Sequence, residues 1–91
     1  MQNEVFYYSK KSDHKGRERV TTYCGVIGEN RTLKVGYAKQ RPTDKFDKKL
    51  GRTIAKGRAI KKGETIQFPE KQLTETFISY CKQLEGEPEK Q

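Results

Sequence analysis

The chain changes hydrophobic period near its middle. Val5-Phe6-Tyr7-Tyr8, β-branched and aromatic, reads as a short first strand. Ser9 to Glu18 is polar, contains Gly16 and reads as a loop. From Arg19 to Ile27 the side chains alternate, with Val20, Thr22, Cys24 and Val26 on one face and Thr21, Tyr23 and Ile27 on the other. Gly28-Glu29-Asn30-Arg31 reads as a tight reversal. Thr32 to Lys39 then resumes the alternation, Leu33, Val35 and Tyr37 facing one way and Lys34, Gly36 and Ala38 the other. Links this short cannot form parallel crossovers, so the three strands are expected to make an antiparallel meander.

Beyond Arg41-Pro42 the period lengthens to that of a helix. Thr43 or Asp44 is placed to cap a helix over Lys45 to Lys61, and Asp44 and Asp47 suit the positive end of its dipole. Phe46, Leu50, Ile54 and Gly57 predict an inward stripe, with Lys45, Lys48, Lys49, Arg52 and Lys56 gathered opposite as a basic ridge. Gly51 and Gly57 each cost about 1 kcal/mol relative to Ala inside a helix. They point either to close approach to the sheet or a ligand backbone, or to a frayed or kinked helix. Lys62-Gly63-Glu64 ends the element, and Thr65 to Phe68 reads as a short strand at the sheet edge. Pro69 is expected to open a second helix at its first turn, with Leu73, Phe77, Tyr80, Cys81 and Leu84 as its core stripe. Glu85 to Gln91 lacks apolar residues and reads as a disordered acidic tail. The expectation is one α+β domain over residues 1–84 followed by the tail 85–91. The domain is a three-stranded antiparallel meander followed by two helices with a short extra strand between them, the helices packed against one face.

Composition narrows the class. Only 31% of the 91 residues are hydrophobic and mean hydropathy is −1.09, so the core must be thin. No apolar run is long enough for a transmembrane helix or a signal peptide, so a cytoplasmic protein without membrane contact is expected. Cys24 and Cys81 lie far apart with no C-x-x-C, which excludes a zinc ribbon and a disulfide scaffold; both read as small core residues of a reduced protein. Charge is the positive signal. The net value is +8, and residues 9–62 carry 17 basic and 5 acidic side chains while residues 63–91 carry 3 and 6. Such segregation concentrates a field that attracts polyanions, beyond what solubility alone requires.

Catalysis finds little support. His14, the one histidine, falls in the first loop and reads as a solvated surface residue, and no phosphate-loop, nucleophile-elbow, zincin or EF-hand pattern occurs. Asp44 and Asp47 form a carboxylate pair that could hold Mg²⁺, but helix capping accounts for them without a metal. No enzyme activity, cofactor, metal or small-molecule substrate is therefore expected. Nucleic-acid binding, by contrast, asks for Lys and Arg spaced along a phosphate track and for planar groups that stack on bases. The helix ridge Lys45, Lys48, Lys49, Arg52 and Lys56 supplies one such set. Lys10, Lys11, Lys15, Arg17 and Arg19 supply a second in a loop able to wrap a backbone, and Lys34, Lys39 and Arg41 add charge on the third strand and its exit. Tyr7, Tyr8, Tyr23 and Tyr37 would stack on bases only from an open sheet face.

Residues 33–62 also carry a resemblance. The runs V-G-Y-A-K, D-K-F-D-K-K-L-G-R and I-A-K-G-R-A are similar to small uncharacterised proteins encoded by bacteriophages and prophages. In those, a strand leads through a Pro-containing turn into D-x-F-x-x-x-x-G-x-x-[IL]-A-x-x-R-A. The resemblance covers about a third of the chain and implies a phage context in a bacterial cytoplasm. It makes Asp44, Phe46, Gly51, Ala55, Arg58 and Ala59 signature positions; Phe46 and Ala55 read as packing residues, and Arg58, which lies away from both the ridge and the stripe, as a functional or buried-pair residue. The resulting expectation is a small basic protein that contacts the phosphate backbone of DNA or RNA. The alternative is a phage inhibitor or adaptor, of anti-defence or anti-CRISPR type, that docks on a host protein or nucleoprotein complex. A metal-dependent nuclease using Asp44 and Asp47 is a third, weaker reading.

Overall fold

The computed structural model describes residues 3–12, 15–16, 18–39 and 47–86. Strands β1 (Glu4–Ser12), β2 (Glu18–Ile27) and β3 (Thr32–Lys39) are followed by helix α1 (Lys48–Lys62), strand β4 (Glu64–Gln67) and helix α2 (Leu73–Gly86). The four strands form one antiparallel sheet in the order β1-β2-β3-β4. The expected meander and the extra edge strand are both present.

The sheet is longer on its hairpin side than the polarity of the sequence suggests. Lys10, Lys11 and Ser12 pair with Val20, Arg19 and Glu18, so β1 runs on to Ser12 and β2 begins at Glu18. Lys10 and Lys11 are thus strand residues, and the expectation of a flexible loop from Ser9 onward is corrected. At the other end a single 3₁₀ turn, Glu29–Arg31, joins β2 to β3; Asn30 and Arg31 adopt left-handed φ values of 57° and 56°. The Thr32 hydroxyl donates to the Glu29 carbonyl across this turn at 2.7 Å.

The helices lie on opposite faces of the sheet, not on one. On one side Tyr23, Leu33 and Val35 pack with Phe77 and Cys81 of α2, flanked by half-buried Leu73, Tyr80 and Leu84. The expected stripe of α2 is therefore its core face. On the other side Cys24 and Ala38 pack with Ala55 of α1, flanked by Phe6 and Val26. Strands β2 and β3 are buried on both faces, which accounts for apolar residues at odd and even positions alike. Pro69 heads a turn in which Gln72 N–H donates to its carbonyl at 3.0 Å; Lys71 sits at φ 66° and α2 begins only at Leu73. Glu85 and Gly86, read as tail, belong to α2, and the Ser9 hydroxyl donates to the Glu85 carboxylate.

Helix α1 uses an unexpected face. Asp47 is its N-cap, its carboxylate accepting from Leu50 N–H at 3.1 Å, so the helix starts three residues later than expected; Thr43 and Asp44, the expected caps, lie outside the described residues. Ala55 and Ala59 are its buried residues, while Leu50 and Ile54 of the expected inward stripe are 55% and 37% exposed. The reason is backbone proximity. A Cβ on Gly36 would lie 2.3 Å from the Ala59 nitrogen and 2.7 Å from the Ala55 carbonyl oxygen, so helix and strand touch main chain to main chain and only small residues fit. Gly51 belongs to the same contact, since a Cβ there would meet the Thr22 hydroxyl at 2.8 Å. Of the two readings of this glycine, close approach to the sheet is the one observed. Phe46 lies outside the described residues.

Candidate functional site

The register collects basic side chains at one end of the sheet. Lys10 and Lys11 end β1, Arg19 sits across from Lys11, Lys15 is in the turn, and Lys39 at the end of β3 faces Thr21. All five are exposed. Lys48 and Lys49 join them because α1 starts over the same end: Gly51 lies on Thr22, and the Lys48 ammonium sits 4.9 Å above the Tyr8 ring, Tyr8 being paired with Thr22. The described acidic groups nearby are Glu18, Asp47, which is engaged as the helix cap, and Glu85, which accepts from Ser9 while its carbonyl takes Lys11 Nζ at 3.3 Å. Glu4, Glu29, Glu64 and Glu70 lie toward the opposite end. Among the described residues the hairpin end thus gathers seven Lys or Arg side chains against three carboxylates.

Of the basic ridge of α1, Lys48, Lys49 and Arg52 are exposed and Lys56 is half-buried. Lys48, Arg52 and Lys56 lie along the β1 side, where they cover strand side chains. The Arg52 guanidinium is 5.7 Å from the Phe6 ring centroid, and Lys56 Nζ pairs with the Glu4 carboxylate at 2.8 Å. That hydrogen bond, with the carboxylate's charge, holds the Lys56 ammonium above its ordinary pKa. Long cationic side chains lie here across aromatic rings with their heads in water. Lys48→Glu with Arg52→Glu is accordingly expected to reduce stability by roughly 1–2 kcal/mol, since exposed cation–π contacts contribute about 0.5–1 kcal/mol each. A drop in the urea midpoint checks this, and an unchanged midpoint would contradict the packing role.

Of the other predicted site residues, Lys34 lies near the far end of β3 beside Thr65, apart from the hairpin cluster. Arg58 donates from Nη1 to the Tyr37 carbonyl at 3.1 Å. Arg17, Arg41 and Lys45, together with His14 and Asp44, fall outside the described residues. Tyr7, Tyr23 and Tyr37 form a cross-strand row, with centroids 5.9 and 5.7 Å apart, on the face covered by α2. Tyr23 is buried and Tyr7 half-buried, which leaves Tyr37, 41% exposed, as the one member of the row open to stacking.

A second feature includes only Arg58 of the predicted binding residues. A groove of about 640 Å³ runs between α1 and α2 beside β3, with Tyr37, Ile54, Gly57, Arg58, Tyr80 and Leu84 on its walls and Lys61 and Lys62 at its rim. The spacing of Leu50, Ile54 and Gly57 was its signal, read as a core stripe. Among the described residues no group of three or more His, Cys, Asp or Glu side chains could hold a metal ion, and no helix is long and apolar enough to cross a membrane. Comparison of the chain with protein-family models, with curated proteins and with solved structures finds no match in any of the three.

Proposed function

We propose that the protein is a small, non-enzymatic nucleic-acid-binding protein, phage-encoded on the resemblance of residues 33–62, that grips a phosphate backbone with the hairpin end of its sheet. The observation that carries this reading is the strand register, which brings Lys10, Lys11, Lys15, Arg19 and Lys39 to one end and sets Lys48 and Lys49 of α1 beside them. Lys10, Lys11, Arg19 and Lys39 are strand positions, held more firmly than a loop would hold them, so that part of the cationic surface is formed before the polyanion arrives. Contacts of this type read charge and backbone spacing, so sequence-independent binding is expected.

Fluorescence anisotropy with labelled single- and double-stranded DNA and RNA tests the reading. Each neutralised phosphate contributes about 0.7–0.9 to the slope of log affinity against log salt. Engagement of the cluster therefore predicts a slope of several units and a loss of two or more decades between about 50 and 200 mM salt. No binding at low salt would contradict the proposal. The adaptor reading is favoured by the groove, which can hold a protein partner independently of the hairpin end.

A further inference from the structure

We propose that the groove between α1 and α2 takes an extended segment of a partner protein in which acidic and apolar residues alternate, added as a strand to the part of β3 beyond its pairing with β4. Strand β4 pairs only with Thr32 to Val35. Among the described residues no strand lies beside Gly36 to Lys39 on the side away from β2. The Tyr37 carbonyl accepts there from the exposed Arg58 guanidinium, a contact that a peptide N–H can replace. A sheet edge of this kind is a template for strand addition, in which main-chain hydrogen bonds supply affinity and alternate side chains supply specificity.

The walls define those side chains. Ile54, Tyr37, Tyr80 and Leu84 form apolar sides, and Leu50 extends the exposed stripe one turn further along α1. Arg58, Lys61 and Lys62 give the rim its sign, with Glu64 the acidic residue among the lining. Gly57 completes the case. No atom lies within 4 Å of a Cβ built there, so the fold does not require glycine, and its absent side chain leaves room for another backbone. A second copy of this chain fits less well, because symmetric pairing of the two edges would set Arg58 and Lys61 against their own counterparts.

The test uses the whole protein and a labelled eight-residue peptide alternating Leu and Glu, in 150 mM salt. Saturable binding is expected with a Kd on the order of 10–100 μM, at least tenfold tighter than that of a peptide alternating Leu and Lys. Gly57→Glu fills the groove and reverses its charge while placing an acid four residues before Lys61, a pairing that supports the helix. It should weaken the peptide at least tenfold with no fall in melting temperature and no change in nucleic-acid binding. Lys10→Gln with Lys15→Gln and Arg19→Gln should leave the peptide bound. Peptide affinity that ignores Gly57→Glu, or that disappears with the hairpin substitutions, would overturn the proposal. So would a wild-type dimer in sedimentation equilibrium that Gly57→Glu dissociates while no peptide binds, because the groove would then belong to a second copy.

Discussion

Gly36→Ala is expected to destabilise the protein by about 3 kcal/mol or more, the upper part of the range for overpacking. The added Cβ meets the backbone of Ala59 and Ala55 at 2.3–2.7 Å, and neither atom can rotate away as a side-chain terminus would. Relief requires α1 to lift from β3, which opens the packing of Ala55, Cys24 and Ala38. In a domain of this size the melting temperature should fall by more than about 10 °C. The comparison that isolates the cause is Gly57→Ala, one residue type into another at an unobstructed helix position. There the helix propensity of Ala acts alone and should raise stability by up to about 1 kcal/mol. Opposite signs for the two substitutions are expected in thermal melts; equal small effects would contradict the main-chain contact between α1 and β3.

Alkaline instability is the second large effect. Cys24 and Cys81 are both free and fully buried, and burial, the largest cause for each, pushes their thiols up to about 11 and about 12 from an ordinary 9.0. The Glu4 carboxylate adds to the rise at Cys24, partly offset by Lys56, and Glu85 adds to the rise at Cys81. Tyr23, buried against α2, is raised as well. With folded values above unfolded ones, the contribution of each thiol is complete below pH 9 and is lost as pH climbs toward 11–12, because the unfolded chain releases its protons first. The loss approaches about 1.4 kcal/mol per pH unit per group above the unfolded value. Two thiols should thus remove more than about 3 kcal/mol between pH 8 and 10.5, a large share of the roughly 5–15 kcal/mol typical of small domains. Urea denaturation at a series of pH values reads this directly. A flat profile to pH 10.5 would mean that the thiols ionise in place, which their burial forbids.

The strands, their pairing and the core face of α2 were legible because large apolar residues mark them. Leu33, Val35, Phe77 and Cys81 stand where the alternation and the helical stripe place them. The face of α1 was misread for the complementary reason. Its contact with the sheet is made by Gly51, Ala55 and Ala59 at successive turns, residues whose weak hydrophobic signal is masked by Leu50 and Ile54. Small side chains are what a main-chain contact demands, and Gly36 in the middle of an apolar strand was the clue to it. The two-sided burial of the sheet was also present in the pattern, since Cys24, Val26 and Ala38 alternate with Tyr23 and Val35. Lys10 and Lys11 could not be told from loop residues, because an exposed strand end needs no apolar side chain. Of the candidate site, the charged residue types were visible in the sequence, but their grouping required the register. That register separates Lys34 from Lys39 on one strand, and the packing of α1 turns Arg52 and Lys56 toward β1.

Position at the hairpin end, and not net charge, is expected to govern polyanion binding. Two variants that remove equal charge test it most directly: Lys10→Gln with Lys15→Gln and Arg19→Gln, against Arg58→Gln with Lys61→Gln and Lys62→Gln. Anisotropy on one labelled duplex across a salt series should show the hairpin variant losing about three units of log–log slope, close to one per phosphate contact, with a matching loss of affinity. The groove variant should retain nearly the wild-type slope. Equal losses in the two would contradict the claim and leave the binding to overall charge alone.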